Sequence, residues 1–361
     1  MNMEKAKWII QIKFNLFSGG KIMKRNLTIA FLTVLLTFGV WSSALSKTRS
    51  GLITMEVDLS AQLQGRTARL WIPYPVSDEN QLISDIKTSG DYSAFGVYTD
   101  RYYGTPILYA EWPKEAKKRK LLFSFKVERQ EVLNRDFPAK EPVWNPADYE
   151  KYLKPTSLGP TDGAVKKLSD AITKGKNTVL EKAKAIYDWT VENTYRDPKT
   201  VGCGLGDVGK LLQNPGGKCT DISSVFISLA RAAGVPAREI FGLRLGKKPQ
   251  QDVTTWQHCW AEFFLPGYGW VSVDPADVRK KMLIEKLDLK DAKMKVYRDY
   301  FWGGIDPYRF VIAQGRDVVL NPPQEGPPLN TFGYPYAEVE GLPLNFYDPA
   351  TFVYRITYHE K

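Results

Sequence analysis

The chain has 361 residues, of which 43% are hydrophobic and 13% aromatic, so it can fill two cores and is neither disordered nor of low complexity. The formal net charge is +10, but residues 1–46 alone hold six Lys or Arg against one acid. The remainder carries the charge of an ordinary globular domain. No Lys/Arg stripe alternates with aromatic residues, so we expect no nucleic-acid partner.

Residues 1–46 have the pattern of a leader with a signal peptide. A basic start at residues 23–25 precedes the uncharged apolar run Leu27–Trp41 and the small residues Ser42–Ser46, which suit a signal peptidase. The run is shorter than the ~20 residues of a membrane span, so we expect export to the periplasm or the extracellular space. Membrane attachment would require an uncleaved segment. A glycine pair just before Met23 resembles a translated ribosome-binding site, which makes Met23 the predicted start.

Residues 47–135 predict a β-rich N-terminal domain. Polar and apolar residues alternate in most of four segments, with turn residues between them: ITMEVDL, ARLWIPYP, ILYAEWP and KLLFSFKVERQEV. This pattern favours an antiparallel, β-sandwich-like domain in which Asp78–Thr105 is less regular. Residues 136–160 are rich in proline and tyrosine and are predicted to form a surface linker.

Residues 161–280 predict a catalytic core of helices followed by strands. Thr178–Glu181 is a capping box that starts one helix, and the stretch GGKCTDISS, residues 216–224, starts a second that ends at Gly234. A strand and a hairpin around residues 266–269 follow. Residues 281–361 mix prolines with strand signals such as Asp317–Leu320.

Three side chains form the candidate catalytic site. Cys219 stands at a helix start, where unpaired N–H groups and the helix dipole lower a thiol pKa and can hold an oxyanion. The chain has only two histidines, and His359 lies near the C-terminus, so His258 is the candidate base. Asp274 would hold its imidazole. If the hairpin is centred on residue 266 the two residues are directly opposite, and if it is centred on residue 267 they are diagonal neighbours.

The other two cysteines leave two alternatives open. Either a bridge joins Cys203 to Cys259 and leaves Cys219 free, or both are simply buried. Alternation along the strand puts Cys259 on the face opposite His258, which favours a core residue over a second nucleophile. A metalloenzyme is disfavoured, because one core histidine and scattered cysteines match no zinc-ligand spacing. We therefore expect no metal and no cofactor.

Two stretches together resemble the core motif of the transglutaminase-like superfamily. They are GGKCTDISSVFISLARAAGVPAREIFG and WQHCWAEFFLPGYGWVSVDPAD, which contain Gly-x-Cys before a helix, His-x-Trp-x-Glu on a strand, and Gly-Trp-x-x-x-Asp-Pro. The resemblance implies an α+β, papain-like core in which a helix carrying the cysteine packs on an antiparallel sheet carrying the histidine and aspartate. It implies a Cys219–His258–Asp274 triad in an exported, bacterial-type member. It also implies that residues 281–361 finish the core sheet.

Four neighbouring residues receive provisional roles. Gln213, six residues before the cysteine, is a candidate second oxyanion donor, as in papain-like enzymes. Trp260 shares the face of His258 and either shields the imidazole from water or only packs. Arg231 and Arg238 are expected to brace the core by pairing with acids rather than to contact substrate.

This constellation predicts thiol attack on a carbonyl group, giving a thioester that an acceptor resolves. Water as acceptor makes a cysteine peptidase or amidase acting on peptide or protein amide bonds, which we favour. A lysine amine as acceptor makes a protein-glutamine cross-linking transglutaminase. A non-catalytic module that binds the cell envelope is the third alternative, against which the intact triad argues. The expected partner is a peptide or protein substrate, and the sequence gives no basis for an oligomeric state.

Overall fold

A computed structural model describes residues 47–62 and 64–361, which fall within one compact unit. The predicted signal peptide and start site lie outside the described residues. Within those residues, no helix combines the length and the apolar character that a bilayer crossing needs.

The described residues contain eighteen strands and six α-helices, with a 3₁₀ helix at Pro146–Tyr152. The strands are β1 (Thr48–Asp58), β2 (Ala68–Pro73), β3 (Gln81–Gly90), β4 (Ala94–Thr99), β5 (Pro106–Trp112), β6 (Lys120–Gln130), β7 (Val132–Leu133), β8 (Tyr195–Arg196), β9 (Gly216–Gly217), β10 (Ala237–Arg244), β11 (Gln250–Asp252), β12 (Gln257–Leu265), β13 (Gly269–Val273), β14 (Gly304–Ile305), β15 (Arg309–Gln314), β16 (Tyr336–Val339), β17 (Leu342–Pro343) and β18 (Val353–Glu360). The helices are α1 (Gly163–Ile172), α2 (Val179–Asn193), α3 (Val208–Leu211), α4 (Cys219–Ala232), α5 (Pro275–Glu285) and α6 (Ala292–Phe301).

Two five-stranded antiparallel sheets form the predicted β-sandwich. Their strand orders are β11-β18-β1-β6-β3 and β17-β16-β2-β5-β4. In β6, Leu121, Phe123, Phe125 and Val127 are buried while the residues between them face outward. These side chains share one hydrophobic cluster with inward residues of the second sheet. Removal of both apolar faces from water holds the sheets together, and the sandwich-like part of the fold prediction is confirmed.

The stretch Asp78–Thr105 is more regular than expected, because it contains β3 and β4. Most β3 residues after Ile83 are exposed, and its register shifts between Ser84 and Lys87, around Asp85 at φ +50°. A bulged edge strand with one exposed half lacks the hydrophobic alternation from which strands are recognised. The sequence pattern therefore missed it.

The C-terminal strands mostly join the sandwich instead of completing the catalytic core. β18 pairs with β1 and β16 pairs with β2, while only β15 enters the core sheet. The stretch Asp317–Leu320 forms an isolated bridge to Leu329 rather than a strand. The expectation that residues 281–361 finish the core sheet thus holds for one strand. Strand pairing between the two ends of a chain leaves no local sequence signal, since either edge offers the same backbone groups.

In the predicted core domain, α4 packs against the four-stranded sheet β13-β12-β10-β15. Every residue of α4 is buried, because α1, α2 and the sheet surround its apolar stripe. The α2 capping box forms as predicted, with the Glu181 N–H donating to Thr178 Oγ1 at 3.1 Å. A cysteine-bearing helix on an antiparallel sheet is the predicted α+β core, and this part of the fold is confirmed.

Candidate active site

Cys219 is the first residue of α4, and Lys218 alone separates it from the Gly216–Gly217 strand. The Asp221 carboxylate caps this helix start by accepting the N–H groups of Lys218 at 2.9 Å and Gly206 at 2.8 Å. A Cβ on Gly217 would lie 2.4 Å from Asp221, so the close approach requires glycine. The backbone N–H of Cys219 has no partner within the helix, because it belongs to the first turn.

His258 and Asp274 are joined by a hydrogen bond. His258 Nε2 lies 2.7 Å from Asp274 Oδ2, and the carboxylate can only accept, so Nε2 carries the proton. Asp274 also caps α5, because its Oδ1 accepts the Asp277 N–H at 2.8 Å. One carboxylate thus fixes the imidazole and begins a helix. Both side chains are buried.

The hairpin register places the two residues diagonally. Ala261 pairs with Val273, which centres the hairpin on Gly267 rather than on Pro266. Gly267 has φ +77°, a conformation that glycine adopts without strain. Of the two registers that the sequence left open, the structure has the diagonal one. His258 and Asp274 remain on one face in this register.

The remaining ring nitrogen of His258 is the one available to Cys219, because Nε2 is held by Asp274. The pKa of the Cys219 thiol is lowered well below its ordinary value. Hydrogen bonds from Cys203 and Cys259 are the main cause, and together with the hydrogen bond and charge of His258 they outweigh burial, which acts in the opposite direction. The structure therefore brings the three predicted residues together around a thiol of lowered pKa.

The two other cysteines lie beside Cys219, which the sequence did not predict. The Sγ atoms of Cys203, Cys219 and Cys259 are all within 4.8 Å of one another, and all three are free buried thiols. A Cys203–Cys259 bridge is therefore absent. The pKa of Cys203 is raised, mainly by its hydrogen bond to Cys219, and that of Cys259 is raised mainly by burial. Both neighbours thus stay protonated, and the single proton of Cys203 has a second acceptor in the Gln257 carbonyl at 3.6 Å.

A buried ion-pair network of Arg309, Arg244 and Asp277 surrounds the Asp274 carboxylate. Arg309, fully buried, contacts Asp274 Oδ2 and lies 2.9 Å from Asp277 Oδ2, while Arg244 reaches both oxygens of Asp277 at 2.7 Å. Burial alone would raise the pKa of Asp277, but Arg244, His258 and Arg309 hold it well below its ordinary value. Asp277 Oδ1 is 3.6 Å from His258 Nε2.

Sequence reasoning missed this network. The sequence contains one local indication of Asp277. It lies three residues after Asp274, in the first turn of a helix that starts with proline, where an acidic side chain is favourable. Arg244 and Arg309 lie on separate strands, β10 and β15, which become neighbours only in the folded sheet.

Among the residues that the structure describes, two groups of side chains have ligand atoms close enough together for a metal ion: the three cysteines and the set His258, Asp274 and Asp277. In the second group, both carboxylates already face the positive charges of Arg309 and Arg244. The cysteines are scattered in sequence but adjacent in space, so the spacing argument used against zinc does not extend to the structure. We assign no metal to either group.

The provisional neighbours have separate fates. Trp260 is fully buried, and its ring stacks near His258 with centroids 6.4 Å apart, which fits both packing and shielding. Arg238 pairs with Glu262 at 2.7 Å, whereas Arg231 donates to the backbone carbonyls of Ala237 and Lys154. The prediction of acid pairing is therefore right for Arg238 and wrong for Arg231.

Gln213 is exposed just after α3, and its backbone N–H donates to Lys210. Its role as an oxyanion donor stays a prediction. The second histidine, His359, lies on β18 opposite Leu52 of β1, in the sandwich.

The site is covered in this structure. Cys219 is 2% and His258 3% exposed. The Tyr334 hydroxyl donates to Cys203 Sγ at 3.1 Å, and Tyr347 packs against Gly202. An open cleft of about 460 Å³ lies beside Tyr347. Its other lining residues include Val201, Leu205, Gly216 and Asp221. A substrate in this cleft would lie against the turn that precedes Cys219.

Comparisons with known proteins indicate the family and the fold of the chain. Residues 166–275 match the model of the core domain of the transglutaminase-like superfamily. An uncharacterized protein of Haemophilus influenzae is 40% identical over 317 residues, which cover 81% of this chain and 85% of that protein. A protein-glutamine gamma-glutamyltransferase of Pseudomonas aeruginosa is 32% identical over 87 residues, covering 23% of this chain and 13% of the relative.

A solved structure from Cytophaga hutchinsonii, named a "putative cysteine protease", shares the fold. It superposes with a TM-score of 0.51 at 17% identity and covers 87% of this chain and 99% of its own. The chain belongs to the transglutaminase-like superfamily.

Proposed function

We propose that the protein is a thiol-dependent acyl-transfer enzyme, and that it acts as a cysteine peptidase or amidase on peptide or protein amide bonds outside the cytoplasm. The observation that carries this proposal is the chain of contacts from Asp274 through His258 to a Cys219 thiol of lowered pKa at a helix start. A nucleophile, a base and a group that orients the base are the parts that acyl transfer needs.

The residues divide the reaction among them. Asp274 keeps the proton on His258 Nε2, which leaves the other ring nitrogen to take the proton of Cys219. The thiolate attacks the carbonyl carbon, and the oxyanion that forms is stabilised by the backbone N–H of Cys219 and the dipole of α4. The protonated imidazole then gives its proton to the leaving amine. Water, activated by the same imidazole, resolves the thioester.

An amine acceptor is the second candidate. It is favoured by the short match to the gamma-glutamyltransferase of Pseudomonas aeruginosa. Both reactions use the same acyl-enzyme, so the triad does not distinguish them. Whether an added primary amine is incorporated into the product identifies the acceptor.

The experiment is the pH profile of iodoacetamide alkylation, site by site, in the wild type and in His258→Ala. A lowered pKa moves the rise in rate to lower pH, so Cys219 should react at pH 6–7, well below the ~8.5 of a free thiol. We expect it to react faster than Cys203 and Cys259, and His258→Ala to reduce this advantage. Equal reactivity of the three thiols in the wild type would contradict the site assignment.

A second measurement separates the candidate reactions. A hydrolase releases free amine from peptides at a rate that an added amine donor does not alter, whereas a transglutaminase incorporates the donor. Retained Cys219 reactivity without turnover in a broad panel of peptides and amides would favour the binding-module alternative. The burial of Cys219 and His258 is consistent with that alternative.

A further inference from the structure

Two thiols beside the nucleophile have no step in the proposed acyl transfer. Cys203 and Cys259 have their Sγ atoms within 4.8 Å of Cys219 Sγ, and neither forms a disulfide. A disulfide bond is about 2.05 Å long, so a sulfur displacement of less than about 3 Å would join either one to Cys219. An oxidised Cys219 would therefore have a second thiol within reach.

Backbone contacts favour Cys203 over Cys259 as that partner. The Thr220 N–H donates to the Cys203 carbonyl at 2.9 Å, which fixes the backbone of Cys203 beside the start of α4. Cys203 lies in a loop between two glycines of positive φ, Gly202 and Gly204. Cys259, in contrast, lies on β12, an inner strand of the core sheet, opposite Phe241. A loop residue can close the remaining gap more easily than a residue of an inner strand.

We propose that Cys203 is the resolving thiol for a reversible oxidation of Cys219. Hydrogen peroxide transfers one oxygen to the Cys219 thiolate, giving a sulfenic acid and hydroxide. The Cys203 thiol then attacks the Cys219 sulfur, so that an S–S bond forms, the S–O bond breaks, and the hydroxyl leaves as water with the Cys203 proton. A dithiol reductant returns two electrons by exchange and restores both thiols.

The cross-link would protect the nucleophile from irreversible damage. Without a second thiol, a sulfenic acid proceeds to sulfinic acid, which reductants do not reverse. The inference rests on the proposed function in that both require a Cys219 thiolate.

The test uses the full-length chain as wild type, Cys203→Ser and Cys259→Ser, each treated with hydrogen peroxide in the presence of a chelator. Peptide mapping without reduction locates cross-links, and iodoacetamide labelling of Cys219 is followed before and after dithiothreitol. Wild type and Cys259→Ser should lose about 2 Da in a Cys203–Cys219 cross-link, with labelling lost and then restored. Cys203→Ser should instead gain about 32 Da at Cys219, with labelling lost for good.

The wild-type peptide map decides the matter even if a serine variant fails to fold. Sulfinic acid at Cys219 without a cross-link, or a cross-link that includes Cys259, overturns the inference but leaves the proposed function standing, since Cys219 is still the reactive thiol. Absence of Cys219 oxidation together with equal alkylation of all three thiols overturns both.

Discussion

His258 and Asp274 are 16 residues apart in the chain, yet Nε2 and Oδ2 lie 2.7 Å apart in a buried contact. They are not cross-strand partners, because Asp274 follows the last residue of β13 and starts α5. The helix start fixes the carboxylate, and the diagonal register brings the imidazole to it. This contact holds the candidate base in one orientation and fixes its tautomer.

Replacement of Asp274 by asparagine should cost activity through charge. Asp274→Asn keeps the shape but removes the negative charge that stabilises the imidazolium and fixes its tautomer. We expect kcat/KM to fall by about 10²- to 10⁴-fold, with the alkylation of Cys219 moved to higher pH. Asp306→Asn is the matched control, because Asp306 pairs with the same Arg309 without an observed contact to His258. Equal losses in the two variants would assign Asp274 a structural role only.

Removal of Arg309 should destabilise the fold strongly. Its guanidinium is fully buried and contacts Asp274, Asp277 and Asp306. Arg309→Met leaves buried carboxylates without their counter-charge, so we expect a loss of about 3–5 kcal/mol in the free energy of unfolding. Arg355→Met breaks the exposed pair with Asp252 and should cost less than about 1 kcal/mol. Urea denaturation of both variants checks the difference, and similar costs would contradict the prediction.

Low pH should reduce the free energy of unfolding through protonation of Asp277. Its pKa is lowered in the folded state, although burial acts in the opposite direction, because Arg244, His258 and Arg309 stabilise the charged form. The corresponding stability is fully present above the unfolded pKa of ~3.9 and is lost as pH falls through the lower folded value. The free energy of unfolding, measured from pH 6 to pH 2.5, should therefore decline less steeply below pH 4 in Asp277→Asn than in the wild type. Parallel curves would be incompatible with this account.

Gly204 should tolerate no side chain. Its φ is +91°, and a Cβ there would lie 1.8 Å from Asp221 Oδ2, the carboxylate that caps α4. Gly204→Ala should cost more than about 3 kcal/mol in the free energy of unfolding and slow Cys219 alkylation, because strain and collision add. Gly234→Ala is the control, since Gly234 also has positive φ (+77°) but has open space around it. That variant should lose only about 1 kcal/mol and keep its alkylation rate.

The sequence reached the main elements of the core for local reasons. The capping box at Thr178, the apolar stripe of α4 and the hairpin turn around residues 266–269 are short-range patterns, and each appears where expected. The bulged edge strand β3 was missed because its exposed half has no hydrophobic alternation. The pairing of β18 with β1 was missed because no local sequence pattern indicates which distant strand pairs with a given edge.

By itself, the sequence identified the three residues of the candidate site: a cysteine at a helix start, the only histidine on a core strand, and an aspartate after the next strand. Tertiary structure decided the hairpin register, the pairing of Arg309 with Asp274, and the gathering of Cys203 and Cys259 around Cys219. The physical reason is range. Helix caps and turns depend on residues a few positions apart, whereas buried charges and thiols meet only when distant segments share one core.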